Sequence, residues 1–161
     1  MNRAHQLDRV GIEVISAAKQ SPAAATSRVL VADDDSFCRR AVGLKLKLLG
    51  STVVEAEDGV QAFELLKSQK FDLAIVDLEM PKLNGCGLIS CARGFPFTKK
   101  LPIVVLTSRS DRDAIEQALV AGATSFLIKP LNWAAFGAHI EHLLLLGGIV
   151  ASQAARMDAA K

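Results

Sequence analysis

Short apolar runs alternate with longer helical patterns between residue 27 and about residue 147. The apolar runs have the length and composition of buried strands, whereas the segments between them repeat apolar residues at intervals of three and four. Regular alternation of this kind is typical of βαβ units, in which each helix connects two parallel strands. Five strand–helix pairs can be counted, so the sequence predicts an α/β fold with a five-stranded parallel sheet.

Polar side chains follow four of the predicted strands at the point where each strand ends. Because the carboxyl ends of parallel strands meet at one edge of a sheet, we expect these side chains to converge there. They are Asp33, Asp34 and Asp35 after residues 29–32, Asp77 after 73–76, Thr107 and Ser108 after 103–106, and Lys129 after 126–128.

Capping residues predict where the helices begin. Ser36 is placed to cap the first helix. A short third helix is predicted over about residues 87–92, and the fourth begins at Ser110. In the fourth helix we expect Ile115, Leu119 and Val120 to face inward.

Two tails flank the predicted domain of residues 27–147. Residues 1–26 contain an amphipathic pattern with Leu7, Val10, Val14 and Ile15 on one face, followed by a linker rich in serine and alanine. We expect this extension to pack on its own domain, to mediate dimerisation or to bind a partner. Residues 148–161 are alanine-rich and can extend the last helix. A monomer or weak dimer is expected.

Composition narrows the classes of function. The net charge is only +2 and the basic residues are scattered along the sequence, so no cluster of positive charge indicates nucleic-acid binding. Three cysteines without C-x-x-C spacing argue against a disulfide framework and a zinc site, and favour a reducing cytoplasm. The most apolar stretch, residues 143–150, contains two glycines and is too short to cross a bilayer. We therefore expect a cytoplasmic protein without membrane insertion.

The converging side chains suit covalent phosphoryl transfer. Carboxylates that share a point repel one another unless a proton or cation lies between them, and oxygen ligands from Asp34 and Asp77 suit Mg²⁺. A carboxylate can attack phosphorus to give an acyl phosphate when the charge on the transferring group is neutralised. The metal ion, the Lys129 ammonium and the Thr107 hydroxyl would together contact its oxygens.

Four sequence strings resemble the signature of the receiver domain of two-component response regulators. They are VADDD at 31–35, IVDLEMP at 75–81, VLTS at 105–108 and IKP at 128–130. The resemblance runs from about Arg28 to Leu145, and its motifs stand in the order and approximate spacing of the family. It implies a flavodoxin-like strand order, with helices on both faces of the five-stranded sheet.

The resemblance also implies a phosphorylation site. A histidine kinase or histidine phosphotransfer protein would donate its phosphoryl group to Asp77. Mg²⁺ would be held by Asp33, Asp34 and Asp77, with the backbone carbonyl of Glu79 as a further ligand. Asp35 is expected to point away from the site and to be structural.

Other residues match the family's switch. Thr107 would move toward the phosphoryl group and Phe126 would turn inward, which alters the surface of the fourth helix, fifth strand and fifth helix, where downstream protein targets dock. The resemblance implies a cis bond between Lys129 and Pro130, which aims the lysine at the site.

Glu79 and Arg109 flank the predicted site, two residues after Asp77 and Thr107 respectively. An acidic and a basic side chain there could pair and hinder the water that hydrolyses the acyl phosphate. Our hypothesis is a longer-lived phosphoryl state than with two small residues. Unchanged autodephosphorylation in a Glu79→Ala, Arg109→Ala double variant would contradict it.

The leading interpretation is a single-domain response regulator, a signalling switch that catalyses its own phosphorylation and dephosphorylation and is not otherwise an enzyme. It would act on a downstream partner or within a phosphorelay, and the sequence does not choose between these. The alternative is a phosphorylation-independent interaction module with the receiver fold. A phosphatase of the haloacid dehalogenase type is disfavoured because the residues after Asp77 lack that family's general acid and threonine.

Overall fold

The computed structural model describes residues 26–108 and 112–158, and strands alternate with helices throughout this part. The predicted N-terminal helix, Arg109, and Ser110 as the predicted start of the fourth helix lie outside the described residues. The strands are β1 (Arg28–Ala32), β2 (Thr52–Ala56), β3 (Leu73–Asp77), β4 (Ile103–Thr107) and β5 (Ser125–Ile128). The helices are α1 (Ser36–Leu48), α2 (Gly59–Ser68), α3 (Gly85–Arg93), α4 (Arg112–Ala121) and α5 (Trp133–Asp158).

The five strands form one parallel sheet in the order β2-β1-β3-β4-β5, which confirms the predicted fold class. The chain passes from β1 to β2 at one edge of the sheet, and β3, β4 and β5 then follow in order on the other side of β1. Strands β1 and β3 are neighbours, with Ala32 opposite Val76. The first residue after β1 and the last residue of β3 are therefore adjacent at the carboxyl edge.

The sheet is covered on both faces by apolar helix surfaces. Alternate residues of β1 enter different clusters, since Leu30 contacts one and Val29 and Val31 contact the other. The first cluster includes residues of α2, α3 and α4, and the second is completed by α1 and α5. Strands β3 and β4 are buried along their whole length, which explains why their sequences read as uninterrupted apolar runs.

Two helix starts differ from the sequence-based expectation. The cap of α1 is Asp35 rather than Ser36, because its carboxylate accepts the backbone N–H groups of Phe37 at 2.9 Å and Cys38 at 3.4 Å. Helix α3 begins at Gly85, earlier than predicted, since the Asn84 side chain accepts the N–H of Gly87 at 2.8 Å. A carboxylate or amide at the residue before the helix satisfies otherwise unpaired N–H groups of the first turn.

Helix α4 packs differently from the prediction. Leu119 and Val120 are exposed, and Ala118 is the buried residue of this helix. The inward face therefore uses a small side chain that allows the helix to lie close to its neighbours, and larger apolar side chains are left at the surface. The expectation that Leu119 and Val120 face inward is wrong.

Helix α5 is the longest element and continues without a break through Asp158. Its 26 residues correspond to about 39 Å, at 1.5 Å per residue. Residues 148–158, placed in the C-terminal tail by the sequence, extend this helix. Among the described residues, no helix combines the length and apolar character needed to cross a membrane.

Candidate functional site

Two buried aspartates lie side by side at the carboxyl edge of the sheet. Asp33 directly follows β1 and Asp77 ends β3, and their exposed fractions are 1% and 7%. The neighbouring Asp34 is exposed. One carboxylate oxygen from each of these three residues lies within 4.8 Å of the others. The strand order alone thus brings together acids that are more than forty residues apart in the sequence.

Lys129 places its ammonium group between the two buried carboxylates. Its Nζ donates to Asp33 Oδ2 at 2.8 Å and to Asp77 Oδ1 at 3.1 Å. The backbone N–H of Lys129 donates to the carbonyl of Thr107 at 2.8 Å, which continues the β4–β5 ladder and fixes the residue at the site. The Lys129–Pro130 peptide bond is cis, as the resemblance implied.

Backbone N–H groups hold the remaining carboxylate oxygens. Asp33 Oδ1 accepts the N–H of Asp35 at 2.9 Å, and Asp77 Oδ2 accepts the N–H of Glu79 at 3.1 Å. Each carboxylate is therefore bound through one oxygen to the lysine and through the other to the loop that follows its strand. This arrangement orients both groups before any ligand arrives.

The electrostatics of the site leave negative charge at its centre. Burial, with the Asp33 charge adding to it, raises the pKa of Asp77 despite the opposing effect of Lys129. Burial disfavours the Lys129 ammonium, but the hydrogen bond to Asp33 and the charges of Asp77 and Asp33 outweigh it and raise the pKa of Lys129. One ammonium thus faces two buried carboxylates and the exposed carboxylate of Asp34.

The predicted switch residues lie on the two strands beside the acids. Thr107 ends β4 and is buried, and Phe126 lies in β5 opposite Val105. The Phe126 side chain is 37% exposed. The hydroxyl-bearing residue is therefore at the site, while the aromatic residue is at the surface of the edge strand.

The loop after β3 is held by contacts that the sequence analysis missed. Lys82, which has a positive φ of 67°, donates from Nζ to Asp58 Oδ2 at 2.5 Å. Asp58 also caps α2 by accepting the N–H of Gln61 at 2.8 Å, and both contacts lower the pKa of its carboxyl group. The capping pattern was visible in the sequence, but the lysine partner is 24 residues away on another loop.

Two glycines allow this loop to lie close to its neighbours. A Cβ on Gly85 would come within 2.5 Å of the Asp77 carbonyl oxygen, and one on Gly59 would come within 1.8 Å of the Leu83 carbonyl oxygen. Side chains at these positions would push the loop away from the end of β3. The fixed position of Asp77 therefore depends on glycine at both contacts.

The structure brings together Asp33, Asp34, Asp77, Thr107 and Lys129, the residues that the strand-end pattern singled out. The Glu79 side chain is exposed, and its backbone contacts Asp77. Arg109, the predicted second flanking residue, lies outside the described part of the chain. Asp35 points away from the site to cap α1, as expected.

The donor set fits a hard divalent cation. Three carboxylates within ligand distance of one another supply only oxygen atoms, and Lys129 compensates just one of their charges. Mg²⁺ takes oxygen ligands and retains several waters, and the exposed side of Asp34 leaves room for those waters. The residues present are therefore compatible with Mg²⁺.

Comparison with known proteins gives a consistent result. The sequence profile of the response regulator receiver domain matches residues 29–141. The chemotaxis protein CheY of Pseudomonas aeruginosa is 35% identical over 106 residues, which cover 65% of this chain and 86% of that protein. The transcriptional regulatory protein PdtaR of Mycobacterium tuberculosis is 40% identical over 111 residues.

Some relatives are longer than the matched region. The chain spans 53% of PdtaR and 14% of the gliding motility regulatory protein of Myxococcus xanthus, to which it is 36% identical over 110 residues. The similarity in these proteins therefore concerns one region of a larger molecule.

Solved structures with the same fold include two bacterial examples. The receiver domain of sensor histidine kinase PA1611 from P. aeruginosa, described with a magnesium ion in its active-site cleft, has a TM-score of 0.70 and 25% identity, covering 74% of this chain and 98% of that one. Chemotaxis protein CheY4 of Vibrio cholerae has a TM-score of 0.70 and 28% identity, covering 74% and 99%.

Proposed function

Since the chain belongs to the receiver domain family of response regulators, we propose that Asp77 accepts a phosphoryl group and thereby switches the binding of a partner. Receiver domains are phosphoryl-accepting signalling switches rather than enzymes that turn over a free substrate. The observation that carries the proposal is the pair of buried carboxylates, Asp33 and Asp77, that share the Lys129 ammonium.

The chemistry requires Asp77 to act as the nucleophile. One of its carboxylate oxygens forms a bond to phosphorus while the bond from phosphorus to the donor nitrogen of a phosphohistidine breaks, and that nitrogen retains the electron pair. Burial of Asp77 reduces the water around the attacking carboxylate. The N–H of Glu79 and the ammonium of Lys129 fix its orientation, so little reorganisation is needed.

We assign Mg²⁺ to Asp33, Asp34 and Asp77, with the Glu79 backbone carbonyl as a further ligand. The ion would neutralise charge on the transferring phosphoryl group. Asp33 has a second role, because it holds the Lys129 ammonium beside Asp77. Lys129 can then contact a phosphoryl oxygen without moving far from its present position.

The switch would act through Thr107 and Phe126. The Thr107 hydroxyl would turn toward the phosphoryl group. The Phe126 side chain, which is partly exposed in the present structure, would turn inward. Both residues lie on neighbouring strands at the side of the sheet formed by β4 and β5. Movement there alters the surface formed by α4, β5 and α5, which we assign to the downstream protein target.

A histidine kinase or histidine phosphotransfer protein is the proposed phosphodonor. The exposed side of Asp34 and the exposed Glu79 side chain border the acceptor, so a protein donor must approach over these groups. We also propose that pairing of Glu79 with Arg109 hinders the hydrolytic water and so lengthens the lifetime of the phosphoryl group.

The first test is intact mass spectrometry of the full chain after incubation with acetyl phosphate and Mg²⁺. We expect a labile gain of one phosphoryl group, lost in Asp77→Asn and lost when a chelator is added. Glu64→Gln, which removes an acidic charge on α2 away from the site, is the matched control and should be phosphorylated like the unmodified chain.

A different result would favour the interaction module. If no adduct forms and beryllofluoride also fails to bind, phosphorylation is not the switch. If the adduct forms equally in Asp77→Asn, another residue is the acceptor.

A further inference from the structure

Helix α1 carries large apolar side chains on the face that points away from the sheet. Phe37, Leu44 and Leu48 are 82%, 61% and 75% exposed. The buried residues of the same helix are Val42, Gly43 and Leu46, roughly half a turn away around the axis. We call Phe37, Ala41, Leu44 and Leu48 the α1 stripe.

The α1 stripe is continuous and has the spacing of a helix-packing surface. Its members follow one another at intervals of four, three and four residues, which keeps them in one row along the helix. A groove of about 450 Å³ lies along its first half, lined by Phe37, Arg40, Ala41 and Leu44 among others. Isolated apolar residues are ordinary at a protein surface, but a row of this kind marks a contact site.

The N-terminal segment leaves the domain beside the end of this stripe. The carbonyl of Ser27 accepts the N–H of Thr52 at 2.8 Å, and the N–H of Ser51 donates to the carbonyl of Leu46 in α1 at 3.0 Å. Ser27 is therefore held at the start of β2, next to the last turn of α1. The chain that precedes it begins its path from that end of the stripe.

The segment has the length and pattern to cover the stripe. Residues 4–20 would form a helix of about 26 Å, against about 20 Å for α1. Leu7, Val10 and Val14 repeat at intervals of three and four, the spacing also found in the α1 stripe. The seven linker residues 21–27 can span about 23 Å, enough to bring this helix alongside α1.

Charge is compatible with this pairing. The stripe is bordered by Arg40 and Lys47, and α1 carries no acidic residue. Residues 4–20 balance Asp8 and Glu13 against Arg9 and Lys19, and Glu13, beside Val14, would place a carboxylate at the edge of the contact. Such an exposed ion pair adds specificity rather than much stability.

We propose that residues 4–20 pack as an amphipathic helix on the α1 stripe of the same chain. The occupant of the stripe is thus this chain's own N-terminal segment. Because the stripe begins at Phe37, close to the acidic residues 33–35, the covered surface reaches the border of the candidate site.

The test is hydrogen exchange of the full chain, followed by mass spectrometry of peptides from residues 4–20. We expect exchange at least about tenfold slower than in an unstructured peptide. Leu44→Asp should remove this protection, whereas Val120→Asp, at an exposed apolar position of α4, should not. Within the segment, Val14→Asp should remove it and Ser16→Asp, on the opposite side of the predicted helix, should not.

Unchanged exchange of β1 and β3 peptides verifies that each variant is folded. The proposal is overturned if the segment of the unmodified chain exchanges at unstructured rates, or if its protection survives Leu44→Asp. It is also overturned if light scattering shows a dimer and the protection disappears on dilution, because a second copy is then the occupant.

Discussion

Lys129 is the counter-ion of a carboxylate pair that would otherwise be unfavourable in the folded chain. Its ammonium lies 2.8 Å from Asp33 and 3.1 Å from Asp77, and both acids are buried. One positive charge cannot neutralise two negative charges, so part of the repulsion is retained. Titratable groups that converge at some expense of stability are common at functional sites, which agrees with the proposed role of this cluster.

The raised pKa of Asp77 makes stability depend on pH. Burial raises the pKa of Asp77 in the folded chain above the ordinary 3.8. At pH values between these two pKa values, Asp77 is protonated in the folded chain and ionised in the unfolded chain. The Asp77 contribution to the free energy of unfolding therefore falls as pH rises from about 4 through the folded pKa, by about 1.4 kcal/mol per unit of pKa difference. Asp77→Asn should remove this loss.

Urea unfolding between pH 4 and pH 8 measures the effect. The stability of Asp77→Asn relative to the unmodified chain should increase with pH and then level off. Lys129 stays charged throughout this range because its pKa is raised. A difference that does not change with pH would contradict the proposed burial effect.

At the scale of elements, the helix caps connect the fold to the site. Asp33, Asp34 and Asp35 are consecutive but have different surroundings: the first is buried beside Lys129, the second is exposed, and the third caps α1. The sequence correctly indicated that Asp35 lies outside the site, but it predicted Ser36 as the cap of α1. Aspartate and serine are both good caps. The path of the backbone after β1 decides between them, and this path cannot be predicted from the local sequence pattern.

Removing the cap should destabilise α1. We expect Asp35→Ala to lower the free energy of unfolding by about 1 kcal/mol, because two N–H groups of the first turn lose their acceptor. Ser36→Ala, at the position that sequence favoured, should change it by less than about 0.5 kcal/mol. Chemical denaturation at neutral pH compares the two.

Asp35→Asn separates capping from charge, since asparagine is also a good cap. The free energy of unfolding of Asp35→Asn should therefore be close to that of the unmodified chain and higher than that of Asp35→Ala. An equal loss in both variants would mean that charge, not the cap, is responsible.

For the molecule as a whole, the order of its strands explains why sequence found the centre of the site and missed its supports. Parallel strands share one edge, so residues that follow apolar runs could be grouped without coordinates. The Lys82–Asp58 contact joins two loops and follows no such rule. The outward positions of Leu119 and Val120 depend on how closely α4 packs through Ala118, which apolar periodicity alone does not specify.

Mg²⁺ should stabilise the entire domain by relieving the charge that Lys129 leaves uncompensated. A ligand present at a hundred times its dissociation constant stabilises the folded state by about 2.7 kcal/mol. Adding a chelator should therefore lower the Tm of the full chain. In Asp34→Asn, which removes the exposed ligand, the difference between Mg²⁺ and chelator should shrink.

Glu64→Gln removes the same charge from an exposed position on α2 and should keep the full Mg²⁺ effect. Differential scanning calorimetry measures all three proteins. Equal shifts in Asp34→Asn and Glu64→Gln would show that the ion does not bind at this cluster.

The separation in sequence between the site's charged groups also limits when the chain can receive a signal. Lys129 is 96 residues from Asp33 and 52 from Asp77, and it reaches them only when β5 joins the edge of the sheet. Without β5, the β1–β3 pair would hold two like charges side by side and lack their counter-ion. On the proposed function, a chain without its last strand would have no competent acceptor, so competence to be phosphorylated would report that the sheet is complete.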